Sequence, residues 1–368
     1  MKKYDIAAYV WPAYTGKEPK TRIFWPEGNG EWETVRAAKT LYPEHKWPRV
    51  PLWGYTEEAD PYVMEAQINA AADHGVNVFI YDWYWFDQQP FLEQCLNEGY
   101  LKARNNDRVK FFLMWANHNA NSLWDRRTAH LHTPIWDGAV DRRNFEIIVE
   151  RTIEKYFSQP SYYKINGKPV YMLFHIPNFI RGMGGVEEAL DALQYFRNKT
   201  KEAGFPGLEL LVNLRDDAFR DRKLNEDYDI RRFMNEAFDG CTHYNFYDYA
   251  EMNRSYSEIL EDVKAEWKKV EKQMDLHFYP HVSLGWDNSL RFEGPHRKWI
   301  CYENTPENIQ KGFELAKEYI DSHELPAPLV VVNSWNEWTE GSYLQPDDLN
   351  GYGYLEAVKE VFLHNDES

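Results

Sequence analysis

The sequence predicts an α/β fold, a single (β/α)8 TIM barrel with long βα loops that occupies residues 1–368. Short apolar runs alternate with amphipathic helical patterns along the whole chain, and eight such units most simply close into a barrel. The runs are almost continuously hydrophobic, which is typical of parallel strands that are buried on both faces. The alternative is an open doubly wound sheet. A nucleotide-binding sheet of that kind has a glycine-rich turn after the first strand. The segment Trp11-Pro12-Ala13 at this position contains no glycine, which argues against the open sheet.

Eight apolar runs have the length of strands, and most are rich in β-branched and aromatic residues. The predicted strands are Ile6–Trp11, Val76–Trp85, Lys110–Asn117, Pro169–Ile176, Leu208–Leu214, Cys241–Phe246, Tyr279–Trp286 and Leu329–Trp335.

Helical patterns separate most of these runs. The first, Ala59–His74, has apolar residues at helical spacing and ends at Gly75, a C-cap signal. The sixth unit is the least clear, because its strand is short and Asp216–Phe238 has no clear helical face. The other predicted helices are Asp141–Phe157, Val186–Ala203, Tyr256–Met274, Pro306–His323 and Tyr354–Leu363.

Composition excludes several classes of protein. The 42 Lys and Arg against 59 Asp and Glu give a net charge of −17, which argues against a nucleic-acid surface. A chain that is 43% hydrophobic and 16% aromatic is not disordered. No run of 18 apolar residues is present, so we expect no membrane span. Three cysteines cannot form a disulfide framework without leaving one over.

The N-terminus, Met-Lys-Lys-Tyr-Asp, leads directly into the first apolar run without the apolar region and cleavage site of a signal peptide. We therefore expect a cytoplasmic protein if the chain is full length, and a periplasmic or surface protein if a signal has been removed. The oligomeric state is not predicted.

Long non-periodic stretches follow three of the predicted strands, at Pro12–Pro51, Asn119–Gly138 and Asp287–Asn304. Long loops in a compact domain are usually functional, and barrel active sites lie at this end of the strands. Polar and aromatic residues are concentrated there, which suits a sugar: C–H faces stack on aromatic rings, and hydroxyls bond to amides and carboxylates. The alternative is that the aromatic residues simply fill the barrel. The predicted hydroxyl contacts are Asp82, Asn117, His118, His175, Asn213 and Tyr244, and the predicted stacking residues are Trp83, Trp115, Trp286 and Trp338.

The segment Glu337-Trp338-Thr339-Glu340, which follows the eighth strand, contains the candidate catalytic residues Glu337 and Glu340. Glycoside cleavage needs one carboxylic acid and one carboxylate at the sugar. Two carboxyls that lie close together raise the pKa of one of them, so that a proton is available for acid catalysis. The alternative is that one of the two glutamates pairs with an Arg or Lys on the barrel rim.

These motifs resemble those of the WbsX-type, glycoside hydrolase family 99-like proteins. The resemblance covers nearly the whole chain and is most specific in the run Asn333–Asp347. It is supported by Tyr81-Asp82-Trp83-Tyr84-Trp85, by Trp115-Ala116-Asn117-His118 and by Gly351-Tyr352-Gly353-Tyr354-Leu355-Glu356.

The resemblance implies a (β/α)8 enzyme that cleaves α-mannosidic bonds with retention. It implies that Glu337 acts as base on the sugar 2-hydroxyl, which then attacks the anomeric carbon, and that Glu340 acts as acid and then base. Thr339 departs from the family pattern, in which the mannose-acting enzymes usually have His, so mannose specificity does not follow. WbsX-type proteins have also been named as glycosyltransferases of surface-polysaccharide clusters.

No metal or cofactor is predicted. His130-Leu131-His132 has the spacing of a metal-binding pair, but it lies in a loop after the third strand rather than at the end of the first. A basic loop after the seventh strand either receives an anionic group of the substrate or is a solvated loop. Its residues are Arg291, His296, Arg297 and Lys298.

Three hypotheses follow. The first is a retaining glycoside hydrolase that acts on an α-linked, mannose-like or deoxy sugar of a polysaccharide or glycan. The second is a glycosyltransferase, although no Asp-x-Asp lies near a strand end and no glycine-rich phosphate turn is present. The third is a non-catalytic glycan-binding barrel. In each case the expected partner is a carbohydrate.

Overall fold

The computed structural model describes residues 4–43, 45–215, 230–292 and 299–363. Within them, eight parallel strands form the wall of the barrel, and each pairs with the next in register. They are β1 Asp5–Val10, β2 Val78–Phe86, β3 Lys110–Trp115, β4 Lys168–Leu173, β5 Glu209–Asn213, β6 Gly240–Thr242, β7 in two segments, His277–Phe278 and His281–Ser283, and β8 Leu329–Asn333.

The sheet closes on itself through β7. Its first segment pairs with β6, where Gly240 lies opposite His277, and its second segment pairs with β8, where His281 lies opposite Val331. Only Tyr279-Pro280 separates the two segments, and these residues carry backbone hydrogen bonds of 2.9 and 3.0 Å to the two neighbouring strands. The predicted barrel is therefore confirmed, and the open doubly wound sheet is excluded.

Helices connect the strands, and most begin or end at recognisable caps. The Asp60 side chain accepts a hydrogen bond from the Tyr62 N–H at the start of α2, and Ser255 and Glu258 form a capping box at the start of α7. The helices are α1 Trp32–Arg36, α2 Pro61–Asp73, α3 Arg142–Thr152, α4 Ile176–Met183, α5 Val186–Glu202, α6 Ile230–Ala237, α7 Tyr256–Gln273, α8 Pro306–Ser322 and α9 Gly353–Phe362.

The predicted helices agree with these to within a few residues, with two differences. The pattern Asp141–Phe157 divides into α3 and a π-helical turn, Ile153–Phe157. Of the unclear stretch before β6, residues 216–229 lie outside the described part of the chain, and α6 covers most of the rest. The β2–β3 connection contains a short π-helical turn, Cys95–Gly99, and a 3-10 turn, Tyr100–Lys102.

Candidate functional site

A cavity of about 320 Å³ opens at the carboxyl ends of the strands, where barrel active sites are found. Its wall combines carboxylates, histidines, amides and aromatic rings contributed by most of the strand ends. It is lined by Trp11, Asp82, Tyr84, Met114, Ala116, His118, Asn119, Asn121, Leu123, Trp124, Phe174, His175, Arg215, Tyr244, Asn245, Tyr247, Asp248, Trp286, Arg291, Glu337 and Glu340.

The chain after β8 is shaped so that both predicted catalytic glutamates reach this cavity. Asn336–Glu337 and Ser342–Tyr343 form a small antiparallel hairpin, and the 3-10 turn Trp338–Glu340 connects them. The turn ends at Gly341 in the left-handed conformation (φ 63°), and a Cβ there would lie 3.2 Å from that of Asp287. Glycine is therefore required for the turn that carries Glu340.

Arg291, from the loop after β7, links the two glutamates. It is 5% exposed, and its Nη1 donates to Glu340 Oε1 at 2.7 Å while its Nη2 lies 3.4 Å from Glu337 Oε2. Its Nε donates to Thr339 Oγ1 at 3.0 Å. Burial lowers the pKa of Arg291, but Glu340, Glu31 and Glu337 raise it by more, so the guanidinium stays charged.

A third buried glutamate, Glu31 from the long loop after β1, also lies near Arg291. It is fully buried, accepts a 2.6 Å hydrogen bond from the Trp11 indole, and has Oε1 3.7 Å from Arg291 Nε. Burial raises the pKa of Glu31 to about 7, although Arg291, Trp11 and Thr339 partly offset the effect.

The hydroxyl of Tyr244 lies between the carboxyl groups of Glu337 and Asp82. It lies 3.3 Å from Asp82 Oδ2 and 3.3 Å from Glu337 Oε1. Burial raises the pKa of Asp82 and of Glu337 well above the ordinary values, and Glu340 raises both further. A phenol has one proton to donate. Both contacts are therefore hydrogen bonds only if Asp82 or Glu337 carries a proton of its own.

The cavity wall around His118, Phe174 and Trp286 has fewer carboxyl groups than the wall around the two glutamates. Burial lowers the pKa of His118 to about 4, so its imidazole is neutral at physiological pH. Arg215 lies 4.6 Å above the Phe174 ring and 3.6 Å from Asp248. The indole of Trp286 stacks on Tyr247 with ring centroids 4.6 Å apart. This part of the cavity offers an aromatic face and hydrogen-bonding groups.

The structure brings seven of the twelve predicted site residues to the cavity. They are Asp82, His118, His175, Tyr244, Trp286, Glu337 and Glu340.

The three remaining predicted stacking residues lie elsewhere. Side chains alternate along a strand, so if Asp82 faces the cavity, Trp83 must face the helices, and its indole donates to Glu93 at 2.8 Å. For the same reason Trp115 stacks on Phe145 of α3. Trp338 is fully buried and donates to Gln345 at 2.7 Å. None of the three presents a face to a ligand in the cavity.

The two predicted amide contacts that lie away from the cavity are also occupied by the protein. The side chain of Asn117 bonds to the backbone N–H and C=O of His175, at 2.7 and 2.8 Å. Asn213 accepts a hydrogen bond from the Tyr9 hydroxyl at 3.1 Å and directs its NH₂ group at methionine sulfurs inside the barrel. Both amides hold the barrel together.

Sequence reasoning missed Glu31, Tyr84 and the role of Arg291. Tyr84 follows from alternation, because it lies two residues after Asp82 on β2. Arg291 is not part of a solvated loop, because it is buried among carboxylates and lines the cavity. The other basic residues of that loop, 296–298, lie outside the described residues.

His130 and His132 are both exposed. Among the residues that the structure describes, no group of three His, Cys, Asp or Glu side chains could hold a metal ion. In the same part of the chain, no helix is long and apolar enough to cross a membrane.

The closed ring of parallel strands and the cavity at their carboxyl ends define a (β/α)8 barrel. A family 99 endo-α-mannosidase from Bacteroides thetaiotaomicron is similar, with a TM-score of 0.58 and 13% identity over 98% of this chain and 97% of that one. A glycoside hydrolase-like protein has a TM-score of 0.62 and 15% identity, over 98% and 94%. At such low identities the likeness establishes the fold alone.

The sequence matches the family described as glycosyltransferase WbsX over residues 6–358, and the chain belongs to that family. It is also 24% identical to the uncharacterized protein WxcX of Xanthomonas campestris pv. campestris strain B100, across 93% of this chain. The match with WxcX of strain ATCC 33913 is also 24% identical. The chain spans about half, 47%, of the length of both relatives.

Proposed function

We propose that the protein is a retaining glycoside hydrolase that cleaves an α-linked, mannose-like or deoxy sugar within a polysaccharide or glycan. The observation that carries the proposal is the pair Glu337 and Glu340, which face one cavity and share Arg291 as a partner. Two carboxyl groups in different protonation states are what glycoside hydrolysis requires. The retaining route, with attack by the sugar 2-hydroxyl, is carried over from the family resemblance.

The lining of the cavity supports a sugar as the substrate. Trp286 lines the cavity and stacks on Tyr247, and an indole of this kind offers a face to the C–H groups of a pyranose. Asp82, His118 and Asn245 add hydroxyl-bonding groups around it. The volume of about 320 Å³ lies in the range of small-molecule sites, which suits a sugar unit of a longer chain.

A glycosyltransferase is the second candidate, and the name of the family to which the chain belongs favours it. A transferase of this kind would bind a sugar nucleotide and pass its sugar to an acceptor. The third candidate is a non-catalytic glycan-binding barrel, which would bind a glycan in the same cavity without cleaving it.

The test is reducing-end release from α-mannans, rhamnose-containing polysaccharides and N-glycans by the wild type, Glu337→Gln and Glu340→Gln. Acid–base groups of this kind contribute about 10²–10⁴-fold to the rate, so each variant should lose at least about 100-fold. Glu154→Gln, on an exposed helical turn, is the matched control and should keep full activity.

Full release by Glu340→Gln on a cleaved substrate would refute the assignment. Saturable binding of a sugar nucleotide with transfer to an acceptor would favour the glycosyltransferase. Tight glycan binding without release after long incubation would favour the binding protein.

A further inference from the structure

We propose that Glu58 is a positioning residue for the turn that carries Glu337 and Glu340. It does not line the cavity and acts from behind it, through the side-chain amides of Asn336 and Gln345, which flank that turn in the sequence. This inference rests on the proposed function, because it concerns the two glutamates that the hydrolase would use.

Glu58 is a carboxyl group in a position where burial is costly. It lies near the end of the long loop after β1, just before α2, and is fully buried. Three amide N–H groups reach its carboxylate: Gln67 and Gln345 donate to Oε1 at 3.0 and 2.9 Å, and Asn336 donates to Oε2 at 3.0 Å. A buried carboxylate is tolerated only where hydrogen bonds compensate for the lost water. The three amides supply that compensation, so the carboxylate and the amides depend on each other.

The carboxylate also fixes which way the amides face. A carboxylate only accepts hydrogen bonds, so Asn336 and Gln345 must turn their NH₂ groups toward Glu58 and their carbonyl oxygens away from it. The oxygen of Asn336 then accepts the Trp11 backbone N–H at 2.8 Å, and the oxygen of Gln345 accepts the Trp338 indole N–H at 2.7 Å. One carboxyl group thus determines the partners of two side chains that it does not touch.

These bonds hold the turn at both of its ends. Asn336 immediately precedes Glu337 and also donates to the Trp11 carbonyl at 2.9 Å, which fastens the start of the turn to the residue after β1. Gln345 holds the indole of Trp338, the first residue of the 3-10 turn that ends at Glu340. Glu58 therefore acts on the two glutamates through these amides and has no contact with a substrate in the cavity.

Nuclear magnetic resonance tests these links without any substrate. Glu58→Gln keeps the size of the side chain but replaces one accepting oxygen by an NH₂ group, so a donor faces a donor and either Gln345 or Asn336 must turn over. In protein labelled with ¹⁵N-tryptophan, the Trp338 indole N–H reports on Gln345 and the Trp11 backbone N–H reports on Asn336. At least one of the two signals should shift and exchange with water about tenfold faster, the factor that one hydrogen bond contributes. The spectra are recorded at pH 8, because burial raises the pKa of Glu58 to about 7.

Steady-state kinetics on a cleaved glycan separate positioning from a purely structural role. Displacing a reacting group by about 1 Å can cost on the order of 100-fold, so Glu58→Gln should lower kcat about 10–100-fold and leave KM within about twofold. Glu209→Gln is the matched control, because Glu209 is also buried but lies at the start of β5, where it pairs with Lys168 at 3.1 Å. The control should keep kcat and both tryptophan signals, even if urea unfolding shows that it is less stable.

Unchanged signals of both Trp11 and Trp338 in Glu58→Gln would overturn the proposal, as would shifted signals with an unchanged kcat. If Glu58→Gln does not fold, Gln345→Met replaces it, since it breaks one of the two links; the Trp338 indole should then shift while the Trp11 amide keeps its position. Failure to find a cleaved glycan would count against the proposed hydrolase. It would leave the spectra as the test of Glu58, because they need no substrate.

Discussion

Replacing Thr339 by valine removes one hydroxyl from the buried contacts of Arg291 and keeps the shape of the side chain. That hydroxyl accepts a 3.0 Å hydrogen bond from Arg291 Nε and also bonds to Glu31, where it lowers the pKa. Thr339 is completely buried, so water cannot replace either bond. The substitution leaves a buried guanidinium N–H without its nearest acceptor.

Hydrogen bonds to charged groups contribute about 1.5–3 kcal/mol each, and an unsatisfied buried group costs a similar amount. We therefore expect Thr339→Val to lower the free energy of unfolding by about 3 kcal/mol. With a urea dependence of about 3 kcal/mol per molar, the midpoint should fall by about 1 M. Urea unfolding followed by tryptophan fluorescence measures the shift.

Thr200→Val is the matched control. Thr200 is also completely buried, but its hydroxyl donates only to a neutral acceptor, the backbone carbonyl of Phe196 in α5, at 2.9 Å. Its loss should cost about 1 kcal/mol. If Thr339→Val costs no more than Thr200→Val, the charged network is not what Thr339 supports, and the reasoning fails.

Three other predictions concern the cavity and the pH dependence of stability. Tyr244→Phe removes the hydroxyl next to Glu337 and should lower kcat about 10–100-fold while KM changes little; steady-state kinetics on a cleaved glycan decide this. Trp286→Ala should raise KM about fivefold or more through lost stacking, whereas an unchanged KM would exclude the indole from substrate binding. Burial raises the pKa of Glu18 from 4.5 to about 7, so its stabilising contribution is complete below pH 4.5 and is lost as the pH rises through 7, by at most about 3 kcal/mol. Urea unfolding between pH 4 and 8 should show a flatter profile for Glu18→Gln.

The barrel was predictable because its strands are buried on both faces. All nine residues of β2 are buried, which leaves a continuous apolar run in the sequence. The predicted strand Tyr279–Trp286 was less accurate, because the observed β7 consists of two short segments on either side of Tyr279-Pro280. Proline cannot donate to a ladder, so the strand changes partner there.

The acidic residues of the cavity were predictable from strand ends, and the aromatic residues were predictable only in part, since Trp286 and Tyr244 line the cavity but Trp83 and Trp115 do not. Asp82 lies in the carboxyl-terminal half of β2 and the two glutamates follow β8, and the carboxyl ends of strands converge in a barrel. The errors at Trp83 and Trp115 came from taking every residue at a strand end as equivalent, although neighbouring side chains point to opposite faces. Tyr84 and Met114, which alternation selects, do line the cavity.

No local sequence pattern could predict the contact between three loops beside the cavity. Glu31, Arg291 and Thr339 come from the loops after β1, β7 and β8, and they meet within one network. Thr339 is also the position at which the chain departs from the family pattern. Its hydroxyl bonds to both Glu31 and Arg291. The threonine therefore couples the buried arginine to Glu31, and no single segment of the sequence could predict this contact.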